Sequence, residues 1–192
     1  AFDNLKQAWD APIVKLEQSG LEDNVIAEII RVRAEINLDK ELEKLEKESV
    51  SVVTVEEEIY PKLLKEIYSP PPVIYYRGTL PASDDFLLAV VGTRNFPQYG
   101  KQVTEIIISD LARNKITIVS GLALGIDSIA HNSTLDSKGK TIAVLGCGIE
   151  KTNIYPATNR FLAEKIIQED GCIITEHPVG TPPLRQHFPR RN

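Results

Sequence analysis

The periodicity of hydrophobic and polar positions changes along the chain. Over residues 1–48 apolar side chains recur at helical spacing. Val25, Ile26, Ile29, Ile30 and Val32 are interleaved with Glu28, Arg31 and Arg33, and Leu38, Leu42 and Leu45 repeat inside the charged run Asp39 to Glu48. A one-sided apolar stripe of this kind predicts amphipathic helices. Gly20, between two such patterns, predicts a helix end and a turn. The β-branched run Val50 to Val55 predicts a strand, and Pro61 suits the start of a short helix over Tyr60 to Ile67. Ser69-Pro70-Pro71-Pro72 reads as an extended link, Val73 to Tyr76 as a second strand closed by Arg77-Gly78, and Thr79 to Asp85 as a boundary loop. From Phe86 the pattern becomes regular. Continuous apolar runs at Phe86–Val91, Ile116–Val119, Thr141–Leu145 and Cys172–Thr175 alternate with helical patterns at Tyr99–Asn114, Ile126–Ser137 and Ala157–Glu169. Such runs are strands buried on both faces and joined by right-handed crossovers. The expected fold is therefore α/β: a small helical module over 1–49, then a doubly wound, mostly parallel sheet over 50–192.

Composition narrows the class. Hydrophobic residues make up 42% of the 192 positions and charged residues 26%. That ordinary globular balance excludes a disordered, collagen-like or purely coiled-coil chain. No apolar run approaches the roughly 18 residues of a spanning helix. Ala1 to Asp10 lacks a basic segment followed by an apolar one, so no signal peptide is visible. Two cysteines, Cys147 and Cys172, form no disulfide framework, and a reducing cytoplasm is the expected compartment. The net charge of −5 argues weakly against a nucleic-acid binder, but it is unevenly spread: residues 1–84 carry 10 basic and 17 acidic side chains, residues 85–192 carry 12 and 10. The second part, at +2, leaves room for a local basic face. The absence of Met, the opening Ala1 and the closing Pro189-Arg190-Arg191-Asn192 suggest a piece of a longer protein.

In open parallel sheets, ligands bind outside the carboxyl ends of the strands. Those ends read Gly92-Thr93-Arg94-Asn95, Ser120-Gly121-Leu122-Ala123-Leu124-Gly125-Ile126-Asp127, Gly146-Cys147-Gly148 and Glu176-His177-Pro178. In the second, Gly121 and Gly125 permit a tight turn into a helix N-terminus, whose free N–H groups favour a phosphate. Ser120 adds a hydroxyl, and Arg94 on the neighbouring loop offers a forked guanidinium. The competing reading is that both glycines serve helix–strand packing alone. Asp127 is either a helix N-cap or a ligand contact. Gly139-Lys140-Thr141 lacks the earlier P-loop glycine, which would fall at Thr134, and Gly146-Cys147-Gly148 lacks a third glycine at Lys151, so neither nucleotide motif holds. His131, His177 and His187 are scattered, His131 reads as structural, and no zinc spacing or nucleophile elbow occurs. Glu176 is the best lone acid–base candidate, weighed against an ordinary surface role. Arg185, His187, Phe188, Arg190 and Arg191 interleave basic and aromatic side chains, which suits single-stranded nucleic acid as well as it suits a solvated loop.

Taken in order, Tyr60-Pro61, Pro70-Pro71-Pro72-Val73, Tyr76-Arg77-Gly78, Val91-Gly92-Thr93-Arg94, Tyr99-Gly100, Ser120 to Ala123, Gly125-Ile126-Asp127, Ala130-His131, Thr141 to Gly148, Tyr155-Pro156, Asn159 and Phe188-Pro189-Arg190-Arg191-Asn192 resemble the DNA-processing protein A (DprA/Smf) family over residues 55–192. Residues 1–48 resemble its SAM-like N-terminal helical module more loosely. The resemblance implies an extended Rossmann-like fold that binds single-stranded DNA, protects incoming DNA in natural transformation and helps load the recombinase RecA. It implies no enzymatic activity, no cofactor and no metal, with a homodimer in the full-length protein. It points to Gly92, Thr93, Arg94, Ser120, Gly121 and Gly125 as the DNA or phosphate site, with Arg190, Arg191 and Asn192 near the same pocket. Leu124 stands where many relatives carry Lys or Arg, and the chain stops inside the Phe-Pro-Arg-Arg-Asn motif. The alternative is an enzyme of the related Lonely Guy-type phosphoribohydrolases. Its Pro-Gly-Gly-x-Gly-Thr stretch is not found here.

Overall fold

The computed structural model describes Phe2 and residues 5–191, which form two compact units, one ending at Lys44 and one beginning at Leu45. The first unit holds helices α1 (Leu5–Trp9), α2 (Ile13–Gln18) and α3 (Asp23–Glu35), and α4 (Leu38–Lys47) crosses the division. Its core is small: Ala11, Leu16 and Ile26 are buried, with Phe2 and Ile29 packed against them. Gly20 takes φ +82° just beyond α2, the left-handed turn expected there. Arg33 donates to the carbonyls of Ala8 (2.6 Å) and Ala11 (2.7 Å) at the end of α1 and lies over the Trp9 ring, a cation–π contact.

The second unit is a six-stranded sheet with the order β1-β2-β6-β5-β4-β3. Its strands are β1 (Ser51–Thr54), β2 (Val73–Gly78), β3 (Leu87–Ala89), β4 (Thr117–Ser120), β5 (Thr141–Val144) and β6 (Cys172–Thr175). Strands β3 to β6 pair in parallel, and β2 and β1 continue the sheet antiparallel beyond β6. The expected Rossmann-like, mostly parallel α/β fold is thus the fold observed. Because β3 to β6 follow one another in one direction, right-handed crossovers bring α6 (Gln98–Arg113), α7 (Ile126–Asp136) and α8 (Arg160–Gln168) to one face. Packing agrees. Ile118, Ala143 and Ile173 face Ile108, Ala130, Leu135, Leu162 and Ile166 of those helices.

Alternate residues point the other way, as the period of a strand requires. Ile142, Cys172 and Ile174 join Val53, Ile74 and Tyr60 on the second face, under α5 (Lys62–Lys65) and its proline-rich flank. Tyr60 donates its hydroxyl to the Pro71 carbonyl (2.8 Å), which ties that flank down. An apolar cavity of about 550 Å³ lies between flank and sheet, lined by Pro61, Leu64, Ile67, Pro71, Val119 and Ile142 among others. Since all four parallel strands run the same way, their carboxyl ends lie along one edge. The segment after β6 returns to that edge in α9 (His187–Arg191), where the sequence predicted only loop. Pro189 is compatible with α9 because it sits in the first turn, where a backbone N–H has no intrahelical partner.

Candidate functional site

The loop after β3 and the loop after β4 interlock through their glycines. A Cβ on Gly92 would lie 2.6 Å from Ile126 Cβ, and one on Gly125 would lie 2.2 Å from the Thr93 carbonyl oxygen. Gly125 also holds φ +88°, a region costly for any residue with a Cβ. The Thr93 carbonyl accepts the Ile126 N–H (3.2 Å), so α7 starts directly against the first loop. Thr93 spends its hydroxyl locally, donating to the Asn95 carbonyl (2.9 Å). Arg94 is exposed beside this junction.

Within the β4 loop the polar groups are largely committed. Ser120 is 4% exposed and donates its hydroxyl to the Val90 carbonyl (2.7 Å), which joins the ends of β3 and β4. The N–H groups of Gly121 and Ala123 both donate to Asp127 Oδ2, at 3.1 and 3.3 Å. Asp127 therefore stands in the first turn of α7 and reaches back to the loop, so it makes no N-cap; Gly125 holds the cap position. From the other side Asn159 donates to the Leu122 carbonyl (2.8 Å) and to Ser128 Oγ (2.8 Å), and Ser128 donates to the Ala123 carbonyl (2.5 Å). These bonds hold Leu122, fully buried, at φ +56°. Two of the loop amides near the expected anion site, those of Gly121 and Ala123, are thus occupied by a carboxylate of the chain itself.

Helix α9 supplies what the loops do not. Arg191, half-buried, donates to the carbonyls of Gly121 (2.8 Å) and Val144 (2.6 Å) at the ends of β4 and β5. Burial disfavours the charged guanidinium there; Asp127 offsets this, and the like charge of Arg94 adds to it. Phe188 packs on Gly146 and tilts at 52° against Tyr155, with ring centroids 5.7 Å apart. Arg94, Leu124, Tyr155, Phe188 and Arg191 surround a small cleft of about 30 Å³. Of the residues expected at the site, Arg94, Gly121 and Arg191 line this cleft, while Gly92, Thr93, Ser120 and Gly125 lie in the interlocked loops beside it. Exposed Arg190 lines only the apolar cavity of the second sheet face, beside Glu176, where Arg191 reaches as well, and Asn192 lies outside the described residues. The stacking of His177 on His187 (4.1 Å) anchors the start of α9, and burial together with the His187 charge holds the His177 ring below its usual pKa. Glu176 lies 3.9 Å from His177 Nε2 at the cavity rim.

Burial raises the pKa of both thiols, that of Cys172 to about 12, so neither is a reactive thiolate. Among the described residues no three His, Cys, Asp or Glu side chains are placed to hold a metal ion, and no helix is long and apolar enough to cross a membrane.

Fold and cleft define a class: a Rossmann-like α/β protein whose strand-end loops and α9 together present two arginines and two aromatic rings. The chain belongs to the DNA recombination-mediator protein A family, whose profile matches residues 51–192. It is 42% identical to the Smf protein of Synechocystis over its whole length, which is 48% of that protein, and 39% identical to DprA of Streptococcus pneumoniae, covering 81% of this chain and 52% of the relative. It spans about half the length of these curated relatives. The crystal structure of the S. pneumoniae protein superposes with a TM-score of 0.69 at 31% identity, over 93% of this chain and 65% of that one. DNA processing protein A from Helicobacter pylori, solved to describe its single-stranded DNA binding mode, matches with a TM-score of 0.62 at 31% identity, over 74% and 62% of the two chains.

Proposed function

We propose that this chain binds single-stranded DNA at the strand-end cleft. One observation carries the reading: exposed Arg94 and half-buried Arg191 lie beside the Tyr155–Phe188 pair at the carboxyl edge of the sheet. Guanidinium groups meet phosphates as forks, and aromatic rings accept a base of any identity by stacking, so the expected binding is tight, sensitive to salt and weakly selective for sequence. The single-stranded DNA binding of the H. pylori relative supports the same conclusion. In this reading Gly92, Gly121 and Gly125 allow the close approach of the two loops, Thr93 and Ser120 brace them, and Arg94 and Arg191 take the phosphate, with Arg190 and Asn192 as further contacts that the family resemblance suggests.

The wider role follows the family. The full-length protein is a cytoplasmic homodimer that shields incoming single strands during natural transformation and helps load RecA on them. It acts as a binding protein without cofactor or catalysis. Anisotropy of a labelled oligothymidylate, titrated across a salt series with a duplex control, tests the binding. Arg94→Glu should weaken it at least about tenfold, or 1.4 kcal/mol. Equal binding of single strand and duplex, or an unaffected Arg94→Glu variant, would refute the reading.

A further inference from the structure

Gly121 is gripped from both sides. Its N–H donates to Asp127 Oδ2 (3.1 Å), and its carbonyl accepts from Arg191 Nη1 (2.8 Å). A Cβ at this position would lie 2.2 Å from that same Nη1. Asp127 is only 5% exposed, and the second loop N–H, from Ala123, lands on the same carboxylate oxygen. Asp127 thus holds the N–H side of the residue whose carbonyl receives the guanidinium, while Asn159 and Ser128 hold the loop from the Leu122–Ala123 side. The charges act in the same direction. Burial and the like charge of Arg94 both disfavour a guanidinium inside the cleft, and the negative charge of Asp127 opposes them. A carboxylate beside an anion site weakens anion binding by simple Coulomb repulsion if it has no other task. Here it has one.

Resting on the single-stranded DNA reading above, we propose that Asp127 is a positioning residue: through Gly121 it holds Arg191 in the cleft alongside Arg94, so that the two guanidinium groups, rather than the loop N–H groups, meet the phosphate. Asp127 never touches the DNA. It takes the place at the loop amides that an anion would otherwise fill, and it converts that loop into a seat for Arg191.

Asp127→Ala, Asp127→Asn and Gly121→Ala separate this from a merely structural role, with Arg94→Glu as the control on the underlying reading. Each is measured by oligothymidylate anisotropy across a salt series, after circular dichroism and thermal melting confirm folding. Asp127→Ala should bind about tenfold more weakly, and its salt slope should fall by about 0.7, the loss of one phosphate contact to a single strand. Asp127→Asn keeps an oxygen for both N–H groups and should recover most of that affinity and the full slope. Gly121→Ala keeps Asp127 but drives its Cβ into the guanidinium, and should reproduce the Asp127→Ala loss; it decides the matter if Asp127→Ala does not fold. Wild-type affinity and slope in folded Asp127→Ala or in Gly121→Ala, with binding lost in Arg94→Glu, would overturn the inference and leave the DNA reading standing. An Asp127→Asn variant as weak as Asp127→Ala would overturn positioning by hydrogen bond. Unimpaired binding by Arg94→Glu would remove the DNA reading and this inference with it.

Discussion

His131 shows how a single side chain records its surroundings. It is fully buried in α7, with Nδ1 2.7 Å from Thr141 Oγ1, and the Thr141 hydroxyl donates onward to the Ile118 carbonyl (2.7 Å). The Thr141 proton is committed, so the ring donates through Nδ1–H, and burial lowers its pKa to about 3. In the unfolded chain the ring titrates near 6.5. Between these values the unfolded state binds the extra proton, so stability is complete above about pH 6.5 and falls as the pH drops towards 3, by at most about 1.4 kcal/mol per unit. Urea midpoints at pH 7 and pH 5 should show this drop, and a His131→Gln variant should show a smaller one than the wild type. At the junction of the two loops, Gly125→Ala combines a positive φ with a Cβ 2.2 Å from the Thr93 oxygen. It should cost about 1–3 kcal/mol or more in urea denaturation. The spacing of Gly121 and Gly125 was legible as a tight strand-to-helix turn. That Gly121 is small because Arg191 lies against it was not, since those residues meet only through the fold.

Between elements, one tie from sheet to helix is an ion pair. Arg77 of β2 forms a fork with Glu164 of α8, at 2.9 and 3.2 Å, with side-chain exposures of 15% and 26%. Paired in this geometry, the two charges are mutually satisfied; removing one leaves the other half-buried and alone. Arg77→Met should destabilise the chain by about 1–3 kcal/mol, and Glu164→Gln in the same background should add little, a coupling that a double-mutant cycle reads directly. Helices and strands from Phe86 onward were readable because each apolar run is long and bounded by glycine or polar residues. The shortness of β3, three residues against six expected, was not readable. Beyond Ala89 the chain still bonds to β4, through the Val90 N–H to the Val119 carbonyl and through Ser120 Oγ, but it is already turning towards α7. Helix α9 escaped the sequence pattern because five residues carry no period, and its place is set by Phe188 on Gly146 and by Arg191 on two strand ends.

For the molecule as a whole, charge and site are separated. The acidic surplus lies before residue 85, while the arginines of the cleft come from residues 94–191. Every group placed at the cleft belongs to the compact unit beginning at Leu45. Six basic residues and ten acidic ones precede Leu45. A fragment starting at Leu45 sheds that acidic surplus, so it should unfold as one cooperative transition and bind oligothymidylate at least as tightly as the whole chain. Circular dichroism melting and anisotropy on the fragment check both expectations.

By itself the sequence determined the class of fold and the edge at which to look. Period and apolar continuity are local properties, and strand ends rich in glycine mark where a parallel sheet opens. The motifs from Tyr60 to Arg191 carried the family. Tertiary structure alone decided which donors remain for a ligand. Hydrogen bonds such as Gly121 to Asp127, Asn159 to Leu122 and Arg191 to Val144 join residues 6, 37 and 47 positions apart. Whether an amide or a guanidinium is spent or available depends on those partners, and no spacing along the chain encodes them.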